Sequence, residues 1–112
     1  MYKDIIYFIQ TLYCTGKTAT KYKKHFQTIE GIDFFDEPQN CLSNFWLNAI
    51  LLKDREARDS FLQYSNDYVV MTRPIWTLMN RLPMFDNCQT DDLTNTKWFE
   101  DRVVNIPSSV RI

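Results

Sequence analysis

The chain has 112 residues, 45% of them hydrophobic and 15% aromatic, with a formal net charge of −1. This length predicts one domain with ample material for a core, and the near-neutral charge argues against a dedicated nucleic-acid-binding protein. Two glycines leave no phosphate-binding glycine loop, and three widely spaced cysteines without a C-x-x-C pair give no zinc site. No apolar run fits a membrane span or a signal peptide. We therefore expect a soluble cytoplasmic protein without nucleic acid or membrane partners.

The N-terminal third predicts a long helix over residues 4–30, because apolar residues recur there at helical spacing. Gly16 leaves two alternatives open: a continuous helix that closely approaches another body, or two helices with Thr18 as a new cap. Gly31 is expected to end the helical region. The apolar stripe consists of Ile5, Ile9, Leu12, Ala19, Tyr22, Phe26 and Ile29.

A central strand is predicted over residues 43–52, written SNFWLNAILL. Apolar residues on both of its faces place it inside a sheet with material packed on each side. It follows a short strand over residues 32–35 and an acidic, proline-containing loop at residues 36–38.

The second half predicts two more helices and two more strands. Asp54 is placed to cap a helix over 55–65, and Asn66-Asp67 supplies a turn. The remaining predicted elements are a strand over 69–72 stopped by Pro74, an irregular stretch over 75–90, a helix over 91–102 and a strand over 103–106. This order predicts an α+β fold with a small, mostly antiparallel sheet and helices on one side.

Most candidate chemical groups have ordinary structural explanations. His25, the only histidine, has no residue pattern of a catalytic triad around it, so a packed or solvated helix histidine is the better interpretation. The acidic residues over 54–59 pair with neighbouring arginines, and those over 91–101 lack the spacing of a calcium loop. Four lysines read as a solvated helix face: Lys17, Lys21, Lys23 and Lys24. We predict no catalytic, cofactor-binding or metal-binding residue in this chain.

Arg73 and Trp76 are the exception. A guanidinium at a strand end beside an aromatic side chain is a good pair for recognising an anion or a ring. The alternative is a salt bridge from Arg73 to a nearby carboxylate, with Trp76 packed in the core. From the residues alone, the salt bridge with a packed tryptophan is the favoured interpretation.

Three segments together resemble one family. SNFWLNAILL, MTRPIWTLMNRLPMF and DRVVNIPSSV stand in the order of the C-terminal small domain of DegT-type sugar-nucleotide aminotransferases. They are most similar to the LegC-type subgroup, which acts in nonulosonic acid synthesis and uses pyridoxal phosphate. The opening helix, with KTATKYKKHF, resembles the helix that leads into this small domain from the large one. The resemblance covers essentially all 112 residues.

The resemblance implies a role on the substrate side of the active site. Arg73 and Trp76 match the segment that comes near the sugar nucleotide, although the family often has a histidine- and tyrosine-bearing pattern there. The Schiff-base lysine, the acid that pairs with the pyridine nitrogen and the phosphate-binding residues belong to a large domain, which we cannot place in this chain. We therefore expect residues 1–112 to be a single small domain that is inactive alone and holds no cofactor itself.

A second hypothesis is a self-standing interaction module that kept the fold and lost the chemistry. The surface where a large domain would dock would then serve self-association. If the opening helix normally packs on a missing domain, its apolar stripe, with Ile5, Ile6, Phe8 and Ile9, is expected to be exposed. The chain is then expected to self-associate as a dimer or larger oligomer.

Overall fold

The computed structural model describes residues 2–11 and 18–108, with side chains described for residues 2–6 and 18–108. Within these residues the helices are α1 (Tyr2–Thr11), α2 (Thr18–Phe26), α3 (Arg55–Asp67) and α4 (Thr94–Glu100). The strands are β1 (Ile32–Phe34), β2 (Asn48–Leu52), β3 (Arg73–Pro74) and β4 (Val103–Ile106). They form one sheet in the order β1-β2-β4-β3, with every pair antiparallel. The predicted α+β fold is confirmed.

The sheet has a core face and an outer face, because side chains alternate along each strand. On β2 the alternation is clear, with Asn48, Ile50 and Leu52 buried and Ala49 and Leu51 only half-buried. Helices α1, α2 and α3 supply the other side of the core. The buried cluster consists of Ile5, Ile6, Tyr22, Phe26, Ile32, Ile50, Leu52, Phe61, Val70, Val104 and Ile106.

The N-terminal region forms helices α1 and α2, and Gly16 between them lies outside the described residues. The predicted helix runs too far, since α2 ends at Phe26. The Thr28 N–H and hydroxyl both donate to the carbonyl of His25, at 3.1 and 2.7 Å. The Thr28 N–H thus closes a tight turn to the residue three positions before it, instead of the bond to the residue four positions before it that continues an α-helix. Gly31 follows this turn at φ 81° and leads into β1.

The opening helix does not expose its described apolar side chains. Ile5 is 0% exposed and Ile6 is 2% exposed, and both belong to the core. Tyr2 adds an edge-to-face ring contact with Phe61 and donates to the carbonyl of Ala57 at 3.2 Å. The expected exposed stripe is therefore wrong for Ile5 and Ile6, whereas the side chains of Phe8 and Ile9 lie outside the described ones. The helix packs on its own domain because α3 offers an apolar face.

The central strand is shorter than predicted. β2 begins at Asn48, and residues 43–47 form a loop instead. The Ser43 hydroxyl accepts from the Phe45 N–H and the side-chain amide oxygen Oδ1 of Asn44 accepts from the Trp46 N–H, both at 3.0 Å. Such side-chain bonds to the backbone two residues on favour turns over strands. The apolar pattern of SNFW therefore belongs to a surface loop, not to the buried sheet.

The predicted strand over 69–72 is also wrong. Val69 N–H bonds to Asn66 O at 3.0 Å and Val70 N–H bonds to Ser65 O at 2.9 Å, which is the Schellman arrangement at the end of α3. The strand comes later, at Arg73 and Pro74, and pairs with β4 at the sheet edge. An edge position tolerates proline because one side of an edge strand needs no ladder donor.

Val69 occupies the left-handed position of this helix end, with φ 61°, and its side chain is 90% exposed. A Cβ in this conformation costs about 1–2 kcal/mol, and glycine removes that cost while adding about 0.5–1 kcal/mol of backbone entropy. We expect Val69→Gly to raise the free energy of unfolding by up to about 1 kcal/mol, measured by urea denaturation. Val69→Ala is the control, since it keeps the Cβ. An equal gain in both variants would contradict this explanation.

The last helix is shorter than predicted, because its first three residues form turns. Asp91 accepts from the Leu93 N–H at 2.8 Å and Asp92 accepts from the Thr94 N–H at 3.2 Å. Leu93 has φ 55°, so the chain enters α4 only at Thr94. The preceding segment is irregular, as predicted, with two short 3-10 turns at Met79–Arg81 and Pro83–Phe85. The strand predicted over 103–106 is confirmed as β4.

Candidate functional site

Arg73 is positioned by a polar network between α3 and the chain that leads into β3. The buried hydroxyls of Ser65 and Thr72 share a hydrogen bond, and the Asn66 amide donates to the Thr72 carbonyl at 3.2 Å and to its hydroxyl at 3.1 Å. Ser65 and Thr72 are 0% and 4% exposed. This network fixes the residue immediately before Arg73, so the guanidinium extends from a well-defined backbone.

The Arg73 side chain is exposed at the sheet edge and forms no ion pair with any carboxylate among residues 2–6 and 18–108. Its one polar contact there is with the Met71 sulfur at 3.5 Å. Trp76 is 71% exposed and does not belong to the core. The alternative of a structural salt bridge with a core tryptophan therefore does not describe this site. Both side chains are accessible to a ligand.

Sequence reasoning missed a third polar group at this edge. Asn105 of β4 is the register partner of Arg73, and the two residues lie on the outer face of the sheet. The side chain of Asn105 is half-buried. The pattern VVNI does not mark Asn105 as a functional residue, because its position opposite Arg73 depends on strand pairing between two residues that lie 32 positions apart in the sequence.

An exposed apolar surface adjoins the other edge of the sheet. Leu42 is 99% exposed and Trp46 is 74% exposed. They belong to the loop that follows β1, which surrounds an open depression of about 430 Å³ lined by residues 35–38, 41–43, 45 and 47. Lys23 of α2 anchors this loop through Asp36, and its hydrogen bond lowers the pKa of that carboxyl. We call Phe35, Leu42, Trp46 and Leu47 the loop surface.

Helix α4 is held by three arginines at its last turn. Arg58 donates to the Glu100 carbonyl, Arg102 donates to the Trp98 carbonyl at 3.0 Å, and Arg81 pairs with the Glu100 carboxylate at 2.7 Å. Positive charge at a helix C-terminus is favourable because the free carbonyls carry partial negative charge. Phe99 of this helix then meets Phe35 of the loop surface, with ring centroids 5.9 Å apart.

The other candidate groups of the sequence do not converge on a site. His25 is half-buried on α2 with its ring against Phe26, and burial lowers its pKa while Asp4 opposes the shift. Tyr22, whose pKa burial raises to about 12, donates to the Pro107 carbonyl at 2.9 Å. In the parts of the chain that the structure describes, no group of three histidine, cysteine or acidic residues could hold a metal ion.

Comparison with known proteins assigns the family. Residues 13–112 match the DegT/DnrJ/EryC1/StrS aminotransferase family. The chain belongs to this family. No curated protein matches the sequence.

A solved structure shows the same fold. The aminotransferase TlmJ from Streptoalloteichus hindustanus superposes with a TM-score of 0.68 at 16% identity, over 80% of this chain and 24% of that chain. The chain therefore spans about a quarter of the length of this structural neighbour.

No helix of the described residues is long and apolar enough to cross a membrane.

Pyridoxal phosphate, which the family resemblance implies, needs a lysine amine held in an enclosed site. The described lysines are instead exposed or half-exposed: Lys3, Lys21, Lys23, Lys24, Lys53 and Lys97. Lys23 pairs with Asp36, and Lys97 donates to the Asp92 carbonyl at 3.0 Å. The described residues thus do not fit the cofactor, and we assign no step of its chemistry to them.

Proposed function

We propose that this chain is the C-terminal small domain of a pyridoxal-phosphate-dependent sugar-nucleotide aminotransferase, of the LegC-like kind that serves nonulosonic acid synthesis. In the complete enzyme an amino group, usually from glutamate, passes through the cofactor to a keto-sugar nucleotide. The cofactor and its lysine belong to the large domain. The small domain shapes and covers the substrate side of the site and is not catalytic alone.

Family membership and the state of Arg73 support this proposal. A guanidinium with no carboxylate partner among the described residues, next in sequence to the Ser65–Asn66–Thr72 network, is ready to bind an anionic ligand. Arginine suits the diphosphate of a sugar nucleotide because its planar fork matches phosphate oxygens. Trp76, exposed three residues later, offers an apolar face for a ring.

A binding experiment tests this assignment. We expect a uridine diphosphate sugar, used as the probe, to bind Arg73→Ala at least about tenfold more weakly than the unchanged chain, because a charge-assisted hydrogen bond to phosphate contributes about 1.5–3 kcal/mol. Trp76→Ala is expected to weaken binding severalfold. Isothermal titration calorimetry measures both.

Trp46→Ala is the matched control, since Trp46 is as exposed as Trp76 but lies on the loop surface. Its affinity for the probe is expected to stay within about twofold of the unchanged chain, a difference well under 1.4 kcal/mol. Equal affinities in the Arg73, Trp76 and Trp46 variants would contradict the substrate role.

Self-association is the second candidate function, and the loop surface favours it. An almost fully exposed leucine and a largely exposed tryptophan four residues later in the same loop are unusual on a monomer and typical of an interface. The partner we propose is a second copy of this chain. In contrast to the sequence expectation, the interface rests on the loop surface and not on Ile5 and Ile6.

Sedimentation velocity over a range of concentrations tests the second candidate. We expect a dimer whose dissociation constant rises at least about tenfold when Leu42 and Trp46 are both changed to serine, because two large apolar side chains leave the interface. Met84→Ser is the control, since Met84 is an apolar residue with 72% exposure that does not belong to the loop surface. A monomer at every concentration would overturn this candidate.

A further inference from the structure

The outer face of the sheet carries a row of four residues, one from each strand or its continuation. Arg73 of β3 is the register partner of Asn105 of β4, and Asn105 is paired in turn with Ala49 of β2. Phe35 completes the row, since its N–H donates to the Ala49 carbonyl at 2.9 Å directly after β1. Ala49 carries only a methyl group, so the side chains of the row that carry functional groups are the Phe35 ring at one edge and the Asn105 amide and Arg73 guanidinium at the other.

The two polar members of this row have unused hydrogen-bonding capacity. Among residues 2–6 and 18–108, the one polar contact of the Arg73 guanidinium is with the Met71 sulfur, and the Asn105 amide has no hydrogen-bond partner. Asn105 is half-buried, so its amide has less access to water than a fully exposed side chain. Backbone bonds of the paired strands hold the positions of both residues.

The spacing of this pair suits a single oxyanion. Side chains directly opposite each other on antiparallel strands have Cβ atoms about 4.5–5.5 Å apart. A guanidinium and an amide NH2 group can therefore donate to different oxygens of the same phosphate or carboxylate. The guanidinium of Arg73 carries a positive charge at the sheet edge, and the shorter amide of Asn105 lies beside it on the inner strand β4.

We propose that Asn105 is a ligand-binding residue that acts with Arg73 to hold one phosphate or carboxylate group on the outer face of the sheet. This inference rests on the proposed function, in which the anion belongs to the diphosphate of a sugar nucleotide. The amide must donate here, so aspartate, which has no donor when ionised and repels an anion, cannot replace it.

Nuclear magnetic resonance titration of the 112-residue chain with inorganic pyrophosphate tests the pair. We expect the side-chain NH2 signals of Asn105 to shift with the same dissociation constant as the Arg73 Nε–H signal. We also expect Asn105→Asp to weaken binding at least tenfold. Asn95→Asp is the matched control, because it makes the same charge change at an exposed position of α4 and is expected to alter affinity by less than twofold.

The outcomes separate this inference from the proposed function. Unshifted Asn105 side-chain signals, or equal affinities of Asn105→Asp and Asn95→Asp, overturn the role of Asn105. If Arg73→Ala loses pyrophosphate while Asn105→Asp retains it, this inference fails and the proposed function stands. If neither change affects binding, both fail. Should Asn105→Asp not fold, the side-chain signals of the unchanged chain decide the question.

Discussion

Replacing Phe61 with alanine is expected to lower the free energy of unfolding by about 3–5 kcal/mol. Phe61 of α3 is 0% exposed, belongs to the main core cluster and contacts the Tyr2 ring edge to face at 5.4 Å. Its removal leaves a cavity between α1, α3 and the sheet. Because small domains have only about 5–15 kcal/mol of total stability, urea denaturation of this variant should show a much earlier transition.

Phe99→Ala provides the comparison for this core prediction. Phe99 lies on α4 with 37% of its side chain exposed, so the same truncation is expected to cost about 1 kcal/mol. Equal losses of unfolding free energy in the two variants would contradict this account, in which Phe61 belongs to the core on one face of the sheet and Phe99 lies on the outer face. The loss in Phe61→Ala also includes the ring contact that joins Tyr2 of α1 to the core.

Replacing Arg58 with alanine is expected to cost about 2–3 kcal/mol. Arg58 is 8% exposed, donates to the Glu100 carbonyl, and bonds Asp59 through Nε at 2.9 Å and Nη2 at 2.7 Å. Hydrogen bonds from a charged donor contribute about 1.5–3 kcal/mol, and the Glu100 carbonyl at the end of α4 would lose its partner. Thermal and urea unfolding measure the loss.

Arg55→Ala is the matched control for Arg58. Arg55 is also an arginine and lies about one helical turn before Arg58 on α3. Its side chain, however, is 64% exposed, and its ion pairs with Asp59 and Asp101 are long, at 3.9 and 3.8 Å. Exposed pairs of this kind contribute about 0–1 kcal/mol, so a small loss is expected. A loss as large as that of Arg58→Ala would mean that charge, and not burial, controls the anchoring of α4.

The sequence predicts the fold class well because the elements with strong local signals form as expected. Asp54 caps α3 by accepting from the Ala57 N–H at 2.9 Å, as its position before the helix indicates. The strands β1 and β4 also lie where the apolar patterns place them. In these segments hydrophobic periodicity and capping point to the same structure, so local and tertiary preferences agree.

The boundaries fail where a side chain bonds to nearby backbone. Ser43 and Asn44 bend the chain into a loop, so the apolar SNFW segment becomes an exposed surface instead of a strand. Val69 adopts the left-handed conformation that a β-branched residue disfavours, which hides the end of α3 from sequence patterns. Such competition between local hydrogen bonds and apolar pattern cannot be judged from periodicity alone.

The candidate site is predictable only in part. Arg73 and Trp76 stand out because their residue types and the adjacent proline are visible in the sequence, and the structure places both at the surface. Their role in binding remains a prediction. Asn105 requires the register of β3 against β4, which depends on the network of Ser65 and Thr72 and on tertiary packing.

The mass of the native polypeptide in the source cells tests the central claim most directly. An antibody against this chain, or mass spectrometry of the purified product, gives that mass. The proposed function predicts a product much larger than 13.5 kDa, in which residues 1–112 are the small domain of an aminotransferase. A native product of 13.5 kDa would contradict that claim and leave the self-associating module as the explanation.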